Sequence, residues 1–356
     1  MSAENPTLAW LHEPCKPIDH QTEAAARARQ DRLTKPQGSL GRLEEMAIRL
    51  AGMQGALFPA VDPVRILQFV SDHGVALEGV SRFPREVTLQ MLFNIARGGA
   101  AVSVMAETIG ATMEIFDLGI ATDPGPVPNV RSARLGPGTG NIAQEPAMTE
   151  QQLAQALTIG REAVERAVQE GARLLICGEM GIGNTTPATA LACALLDLDP
   201  ARLAGPGTGL SPEGVAHKAK VIARALALHG RSESPLELLR RLGGFDIAAS
   251  TGAFIRAAQL GLPILVDGFI ITSAALVAVR INPAVREWML FAHGSAEPGH
   301  RLMLTALDAD PYLDLKMRLG EATGGAALVP LLRMACVVHQ RMATFDEAGV
   351  SKASGA

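Results

Sequence analysis

The chain has 356 residues and a formal net charge of −4 at pH 7; 48% of its residues are hydrophobic but only 4% are aromatic. This length suffices for one large domain or two smaller ones, and the abundant alanine and glycine favour close packing of helices on a sheet over a β-sandwich. Because no Lys/Arg-rich run occurs, the chain lacks the charge pattern of nucleic-acid-binding proteins, and we expect no nucleic-acid partner.

Cysteine usage and hydropathy predict a cytoplasmic protein without a membrane span. The N-terminal residues include Glu4 and Glu13 and form no apolar run, unlike a signal peptide. The most apolar stretch, 263–279, is interrupted by Asp267 and is short for a bilayer span, so it predicts a buried strand followed by a helix. The cysteines form no C-x-x-C pair and are typical of reduced thiols: Cys15, Cys177, Cys193 and Cys336.

The first 60 residues are predicted to be helical and separate from the rest of the chain. An apolar stripe at helical spacing indicates a helix that ends near Gly52; the stripe comprises Leu40, Leu43, Ala47, Leu50 and Ala51. Ser39, at the end of a turn-rich loop over 34–39, is the expected N-cap of this helix.

From residue 64 onward, strands alternate with helices. The predicted strands are 64–70, 113–116, 174–177, 264–266 and 289–292, and the predicted helices between them include 86–107, 150–170, 212–229 and 246–260. This alternation predicts a doubly wound α/β fold with a mainly parallel sheet. Each strand is followed by polar or glycine residues. Because the carboxyl ends of parallel strands share one edge of a sheet, we expect a single composite site there.

The segment from Leu174 to Ala188 contains a strand, a glycine-rich loop and the start of a helix. Thr185 or Thr186 is the expected N-cap of that helix, and Pro187 suits its first position. Free backbone N–H groups at such a helix start bind a phosphate or a carboxylate, whereas Glu179 in the loop would repel a phosphate at contact distance. The segment therefore indicates a ligand with a phosphate at one end and a hydroxyl or cationic group at the other.

Two familiar phosphate loops are excluded for this segment. It contains no lysine, which a Walker A loop requires, and Thr186 occupies the third glycine position of a dinucleotide fingerprint that would start at Gly181. A glycine-rich turn that serves only strand-to-helix packing stays an open alternative.

The sequence Gly-Pro-Gly-Thr-Gly occurs twice, at 136–140 and at 205–209. Both copies are rich in backbone N–H groups and lack bulky side chains, so either could line a sugar–phosphate pocket. A recurrent turn without chemical importance is an equal alternative for each copy.

Pattern alone leaves the roles of two charged residues open. Glu321 lies near glycines, and a partly desolvated carboxylate there could accept a proton near neutrality; an exposed loop glutamate is the simpler interpretation. Lys218 follows His217 on a predicted helix of ordinary charge pattern, and we interpret it as a solvated side chain.

Metal binding and covalent catalysis are not indicated. His293 and His300 are seven residues apart with Glu297 between them, whereas a zinc-binding helix places its two histidines four apart. The pair Asp72-His73 ends a predicted strand, where hydrogen bonding that shapes the loop is the preferred interpretation. No G-x-S-x-G elbow and no cysteine with a partner motif occur. We expect neither a metal nor a covalent nucleophile.

Several short blocks follow one another between residues 35 and 324. They are KPQGSLGRLE at 35–44, DHGV to GVS at 72–81, VTLQM at 87–91, GTGN at 138–141, GEMGIGNTTP at 178–187, GTGL at 207–210, HGSAE at 293–297 and RLGEATG at 318–324. In this order the chain resembles the nicotinate-nucleotide–dimethylbenzimidazole phosphoribosyltransferases of cobalamin lower-ligand assembly. Eight blocks in the family's order are much more specific than any single loop.

The resemblance implies that the phosphoribosyl group of nicotinate mononucleotide passes to 5,6-dimethylbenzimidazole. The products would be α-ribazole 5′-phosphate and nicotinate, with inversion at the anomeric carbon. Because the pyridinium nitrogen is already a cationic leaving group, the resemblance implies no metal and no cofactor. What the enzyme must supply is orientation and a base for the N–H of the benzimidazole.

The resemblance also implies site residues and an assembly. Glu321 would be the base. The nucleotide would be held by Glu179, Gly181, Gly183, Asn184, Thr208, Gly209 and Lys218, and the benzimidazole by Ser81, Phe83, Gln90, Met91 and Leu319. The fold would be Rossmann-like and the protein a homodimer. A large α/β domain at 61–309 would carry the phosphoribosyl site, and a smaller helical domain would be built from both chain termini, 1–60 plus about 310–356.

Two other functions stay open. A nucleotide-dependent oxidoreductase with an atypical Rossmann loop would bind NAD tightly, but the missing third glycine disfavours it. A non-catalytic phosphoribosyl sensor would bind nicotinate mononucleotide and leave it intact, although Glu321 would then have no purpose.

Overall fold

Within residues 6–351, which the computed structural model describes, six parallel strands form one sheet. The strands are β1 (Val64–Ser71), β2 (Thr112–Gly119), β3 (Val130–Ser132), β4 (Leu174–Met180), β5 (Ile264–Val266) and β6 (Met289–Phe291). They lie in the order β3-β2-β1-β4-β5-β6, and each neighbouring pair is parallel. This strand order confirms the predicted doubly wound α/β fold.

Helices flank the sheet. The α-helices are α1 (His20–Gln30), α2 (Arg42–Gln54), α3 (Glu86–Ala96), α4 (Ala101–Thr108), α5 (Glu150–Gln169), α6 (Thr185–Leu196), α7 (Pro200–Leu203), α8 (Pro212–His229), α9 (Pro235–Leu242), α10 (Phe245–Leu260), α11 (Phe269–Ile281), α12 (His300–Ala306), α13 (Thr323–Arg341) and α14 (Phe345–Ala348). Helix α10 packs against α5 and contacts the central strands β1 and β4.

The central strands are buried almost throughout. Every residue of β4 is buried, and β1 is buried except at Arg65. Such strands carry long apolar runs because helices cover both faces of the sheet. The edge strand β3 has only three partly exposed residues, Val-Arg-Ser, so it gives no periodic apolar signal and was not predicted.

The predicted helix 86–107 is wrong, because two helices occupy this stretch. Helix α3 ends at Ala96 and α4 begins at Ala101. Between them Gly98 adopts a left-handed conformation with φ of +84°, which no continuous helix permits.

Both predicted helix caps are also wrong. Helix α2 starts at Arg42 with Gly41 as its N-cap in place of Ser39. Helix α6 starts at Thr185 with Asn184 as its N-cap, so Pro187 is its third residue. The glycine-rich loop therefore ends one residue earlier than the side-chain preferences of N-caps indicate.

Helices from both ends of the sequence pack on one another. Helix α1 packs on α2, and α2 packs on α13. Arg29 Nε donates a hydrogen bond of 2.9 Å to the carbonyl of His339, and Leu33 pairs with Thr344 in an antiparallel bridge. Because α13 also contacts β4 and α4, it joins these helices to the sheet. The domain limits 1–60 plus about 310–356, and 61–309, stay a prediction; residues 1–5, with Glu4, and 352–356 lie outside the described residues.

Two further observations concern the predicted compartment. No helix within residues 6–351 is long and apolar enough to cross a membrane. All four cysteines are free thiols; Cys15 is half-buried and the other three are buried. Burial raises the pKa of the Cys15 thiol to about 11.

Candidate active site

A cavity of about 450 Å³ opens at the carboxyl ends of β4, β5 and β6. Eight of the predicted site residues contribute to its wall: Phe83, Met91, Glu179, Gly181, Asn184, Thr208, Leu319 and Glu321. The cavity adjoins the junction of β1 and β4, where the direction of strand connection reverses and where ligands bind in sheets of this order. Side chains that are far apart in sequence therefore meet at one edge of the sheet.

The other five predicted residues lie outside the cavity wall: Ser81, Gln90, Gly183, Gly209 and Lys218. Ser81 is at the rim, with its Oγ 3.1 Å from Oγ1 of Thr208. Gln90 is an exposed residue of α3. Gly183 and Gly209 adjoin wall residues in their loops, and both have positive φ.

Glu179, the penultimate residue of β4, is a buried carboxyl group in the cavity wall. Asn184 Nδ2 donates to its Oε2, and the N–H of Glu321 donates to its Oε1 at 3.3 Å. Burial raises the pKa of Glu179 well above its ordinary value, and the negative charge of Asp246 raises it further. A buried carboxyl group whose two oxygens are fixed by hydrogen bonds is a rigid polar partner for a ligand hydroxyl.

Glu321 is also buried in the wall, with only 5% of its surface exposed. The interpretation from pattern, an exposed loop glutamate, is therefore wrong. Glu321 and the following Ala322, which caps α13, both adopt left-handed backbone with φ near +60°. Burial and then the charge of Asp267 raise the pKa of Glu321 to about 7. A carboxylate with this pKa is matched to accepting a proton near neutral pH.

Glycine at position 320 brings these two carboxyl groups together. Gly320 has φ of +84°, and a Cβ atom there would lie 2.2 Å from Oε1 of Glu179. The positive φ favours glycine at position 320, and any side chain there would displace the carboxyl group of Glu179.

Asp267 and His293 follow β5 and β6 and are also buried in the wall. Asp267 Oδ1 accepts a hydrogen bond of 2.9 Å from the N–H of Gly325, in the first turn of α13. His293 Nε2 lies 3.9 Å from the same oxygen. Burial raises the pKa of Asp267, whereas His293 and the N–H of Gly325 oppose that rise.

Lys218 lies behind the wall and is completely buried, so its interpretation as a solvated side chain is wrong. Its Nζ donates to Thr185 Oγ1 at 2.7 Å and to the carbonyl of Gly205 at 3.4 Å. Burial lowers the pKa of Lys218 to about 8, although the charge of Glu297 acts in the opposite direction. Because Thr185 lines the cavity, the ammonium group can act on a ligand through this hydroxyl.

The second Gly-Pro-Gly-Thr-Gly loop, 205–209, is held at the cavity by charged side chains. Glu297 Oε1 accepts a 3.0 Å hydrogen bond from the N–H of Gly207, and Arg318 Nη1 donates a 2.9 Å hydrogen bond to the carbonyl of Gly207. Burial raises the pKa of Glu297, while Lys218 opposes the rise. Gly207 and Thr208 thereby become part of the wall.

The end of the cavity at Thr185 and the loop 205–209 suits an anion. Helix α6 begins at Thr185, in the wall, and the N-terminus of a helix carries a partial positive charge and free N–H groups. Lys218 behind Thr185 and Arg318 in the wall add two cationic groups nearby. The carboxyl groups of Glu179 and Glu321 provide the acidic part of the same cavity.

An apolar part of the wall consists of Phe83, Val87, Met91 and Leu319. Phe83 is 48% exposed and Leu319 is 56% exposed, which is unusual for such large apolar side chains beside a buried polar site. Exposed apolar groups next to a few fixed polar groups are the usual lining of a small-molecule site. A flat aromatic ring would cover this surface.

His300 serves the architecture of the site. Its Nδ1 accepts a 2.8 Å hydrogen bond from the N–H of Ser295, and its Nε2 lies 2.9 Å from Oγ1 of Thr272. Burial lowers the pKa of His300 to about 3, so the imidazole is neutral. Within residues 6–351 no three His, Cys, Asp or Glu side chains are grouped as a metal ion would require.

Several wall residues were not among the thirteen predicted catalytic and substrate-binding residues: Thr185, Asp267, His293, Glu297 and Arg318. The strand-end rule was a usable signal for Asp267 and His293, since each directly follows a predicted strand. Arg318 and Glu297 lie in blocks that carried the family resemblance but have no distinguishing pattern of their own.

The chain is similar to known proteins over most of its length. The family model described as "Phosphoribosyltransferase" matches residues 15–350. A nicotinate-nucleotide–dimethylbenzimidazole phosphoribosyltransferase of Xanthomonas euvesicatoria is 56% identical, covering 97% of this chain and 99% of its own length. The protein of that name from Pseudomonas fluorescens is 57% identical over 96% of this chain and 98% of its own. The crystal structure of that enzyme from Thermus thermophilus aligns with a TM-score of 0.89 and 43% identity, covering 94% of this chain and 100% of the other.

Proposed function

This chain belongs to the nicotinate-nucleotide–dimethylbenzimidazole phosphoribosyltransferase family, and from that premise we propose that it makes α-ribazole 5′-phosphate. The donor is nicotinate mononucleotide, the acceptor is 5,6-dimethylbenzimidazole, and the reaction inverts the anomeric carbon from β to α. The product serves as the lower-ligand precursor of cobalamin.

The observation that carries the proposal is the position of Glu321. It is a buried carboxylate with a pKa of about 7, in the same cavity as the half-exposed apolar side chains of Phe83 and Leu319. A benzimidazole that covers these apolar groups brings an N–H within the reach of a matched base. A sensor that only binds the nucleotide has no use for such a base, and a dehydrogenase is disfavoured because Thr186 occupies the third glycine position of the dinucleotide fingerprint.

The reaction balances without a cofactor. The lone pair of one benzimidazole nitrogen attacks the anomeric carbon from the face opposite the nicotinate, and the bond from that carbon to the pyridinium nitrogen breaks. The bonding pair returns to the pyridine ring and neutralises its charge. The proton on the other benzimidazole nitrogen passes to the Glu321 carboxylate, so that no charge remains on the transferred ring.

The nucleotide fits the other groups of the cavity. Its phosphate suits the N-terminus of α6 together with Thr185, Lys218 and Arg318, and its ribose hydroxyls suit Glu179 and Asn184. We include Ser81 and Gln90 at the edge of the base slot. Gly181, Gly183, Thr208 and Gly209 shape the phosphoribosyl side, where small residues leave the backbone accessible.

We also propose a homodimer in the cytoplasm. The small helical domain, 1–60 plus about 310–356, would help to close the site over the large domain, 61–309. In support of such closure, α13 begins two residues after Glu321 and packs on α2. Light scattering coupled to size-exclusion chromatography tests the assembly, and a monomeric mass would contradict it.

The enzyme assay mixes the purified protein with nicotinate mononucleotide and 5,6-dimethylbenzimidazole and separates the products by mass-resolved chromatography. We expect α-ribazole 5′-phosphate from the wild type and a rate lower by about 10²-fold or more from Glu321→Gln. Binding of the nucleotide without product from the wild type would favour a sensor. Equal rates for both proteins would keep the transferase and remove Glu321 as the base.

The pH dependence gives an independent test of the base. Because Glu321 must be ionised to accept the proton, kcat/KM of the wild type should fall tenfold per pH unit below about pH 7. Because folding raises the pKa of Glu321 from 4.5 to about 7, the folded state binds this proton more tightly than the unfolded state. The free energy of unfolding therefore falls as the pH rises from 4.5 to about 7. Glu321→Gln should therefore unfold no earlier than wild type at pH 8, which excludes misfolding as the cause of its low rate.

A further inference from the structure

We propose that Asp267 is a positioning residue that holds Glu321 in place and whose charge acts on that carboxylate. This inference deepens the proposed function and rests on it, since it takes Glu321 as the proton acceptor. Asp267 acts through Glu321 and the first turn of α13, not by reacting with substrate.

Helix α13 is attached to the sheet at its first turn. Asp267 immediately follows β5, and its Oδ1 accepts the N–H of Gly325 at 2.9 Å. The side of α13 at Gly324 is packed so tightly on His293 that a Cβ atom at 324 would lie 1.9 Å from the His293 ring. The start of α13 is therefore fixed to the ends of β5 and β6.

This attachment determines where Glu321 lies. Glu321 and Ala322 are consecutive non-glycine residues in left-handed backbone, directly before α13. Left-handed backbone is unfavourable for a residue that carries a Cβ atom, so neighbouring contacts must impose the conformation. Within the turn, the N–H and Oγ1 of Thr323 both donate to the carbonyl of Gly320, at 3.0 and 2.7 Å. The contacts that fix the turn to the sheet are Gly325 to Asp267 on one side and the N–H of Glu321 to Glu179 Oε1 on the other.

The second carboxylate oxygen of Asp267, Oδ2, acts on Glu321 through its charge. Oδ2 is buried and has no hydrogen-bond partner among residues 6–351, whereas Oδ1 accepts the N–H of Gly325, so the charge on Oδ2 is the less compensated of the two. The elements next to the Glu179–Glu321 pair contribute several titratable or charged side chains. These are Asp246 of α10, Asp267 after β5, His293 after β6 and Arg318 on the loop of Glu321 itself. Asp267 is the one whose charge, after burial, raises the pKa of Glu321.

Two substitutions separate the roles of position and charge. Asp267→Asn keeps an oxygen that accepts the N–H of Gly325 and removes the charge. We expect the acid limb of the pH profile of kcat/KM to move about one pH unit lower, with a plateau rate several-fold below wild type because a weaker base remains.

Asp267→Glu keeps the charge and displaces the carboxylate by one methylene. Its plateau kcat should fall about tenfold or more, while its acid limb stays within about 0.3 pH units of wild type.

Asp117 supplies the matched control. It is another buried aspartate near the carboxyl end of a strand, β2, and it lies outside the cavity wall; Arg134 donates to it at 2.8 Å. Asp117→Asn should lower the thermal midpoint without moving the acid limb.

The full pH profile of kcat/KM is measured for wild type and the three variants, and folding is monitored by circular dichroism. An acid limb of Asp267→Asn that coincides with wild type would overturn the inference. If that variant does not fold, an unchanged plateau for Asp267→Glu would overturn it instead. A wild type without transferase activity would refute the proposed function itself, which the same assay reports separately.

Discussion

The two Gly-Pro-Gly-Thr-Gly loops have the same five residues and entirely different surroundings. In the first loop, 136–140, Thr139 donates its N–H to the carbonyl of Asp72 at 3.0 Å, and its Oγ1 accepts the N–H of Gly74 at 3.3 Å. This loop packs on the end of β1 and does not reach the cavity. The second loop, 205–209, is held by Glu297, Lys218 and Arg318 and forms part of the cavity wall. The sequence determines the turn, and the neighbours determine its role.

The largest expected effect compares the third residue of the first loop, Gly138, with the fifth residue of the second loop, Gly209. Gly138 has φ of +98°, and a Cβ atom there would lie 3.0 Å from the backbone oxygen and Cβ of Asp72. Gly209 has φ of +103°, but the nearest atom to its Cβ would be Arg82 Nη1, at 3.8 Å. Gly138→Ala should lower the free energy of unfolding by about 3 kcal/mol, and Gly209→Ala by about 1 kcal/mol. Urea denaturation measures both, and equal losses would mean that backbone strain alone matters.

The next difference concerns the arginine that donates to each loop. Arg318 Nη1 bonds the carbonyl of Gly207 at 2.9 Å, whereas Arg85 Nη2 reaches the carbonyl of Pro137 at 3.5 Å. Arg318→Gln should raise KM for nicotinate mononucleotide about tenfold, since a charge-assisted hydrogen bond and a cation at the proposed phosphate end are lost. Arg85→Gln is the control, for which we expect an unchanged KM. A similar rise in both variants would place the first loop in the binding site as well.

The smallest difference concerns the two threonine hydroxyls. Thr208 Oγ1 accepts a 3.2 Å hydrogen bond from the N–H of Arg82 at the rim of the cavity, while Thr139 Oγ1 accepts the buried N–H of Gly74. Thr208→Val should raise KM for the nucleotide about threefold with little change in stability, and Thr139→Val should lower stability by about 1 kcal/mol with KM unchanged. Steady-state kinetics and thermal unfolding on the same preparations test this crossed pattern, which reversed results would contradict.

The sheet could be predicted because its signal is local. Short apolar runs such as 64–70 and 174–177, each followed directly by polar or glycine residues, indicated the strands, and the residues after them indicated the edge that carries the cavity. The strand β3 and the break between α3 and α4 were missed. Strand β3 has only three residues, all at least partly exposed, so it shows no apolar periodicity. The break between α3 and α4 falls at Gly98 and Gly99, which lie within an otherwise continuous helical pattern.

The site could be predicted only in part because burial is not local. Glu321 has glycines around it and looks exposed, yet the ends of β4 and β5 cover it. Lys218 has an ordinary helical context, yet Thr185 and Gly205 enclose its ammonium group. In both cases the decisive neighbours are distant in sequence, and only the resemblance to a family indicated their importance.

The hydrogen bond from Glu321 to Glu179 spans 142 residues, and it has a consequence for protein synthesis. As the chain emerges from the ribosome, all six strands are translated before residue 321. A polypeptide released after β6 would hold every strand of the sheet, including Glu179 in β4, but not Glu321, the proposed proton acceptor. Premature termination in this region should therefore give an inactive product, not one with reduced turnover.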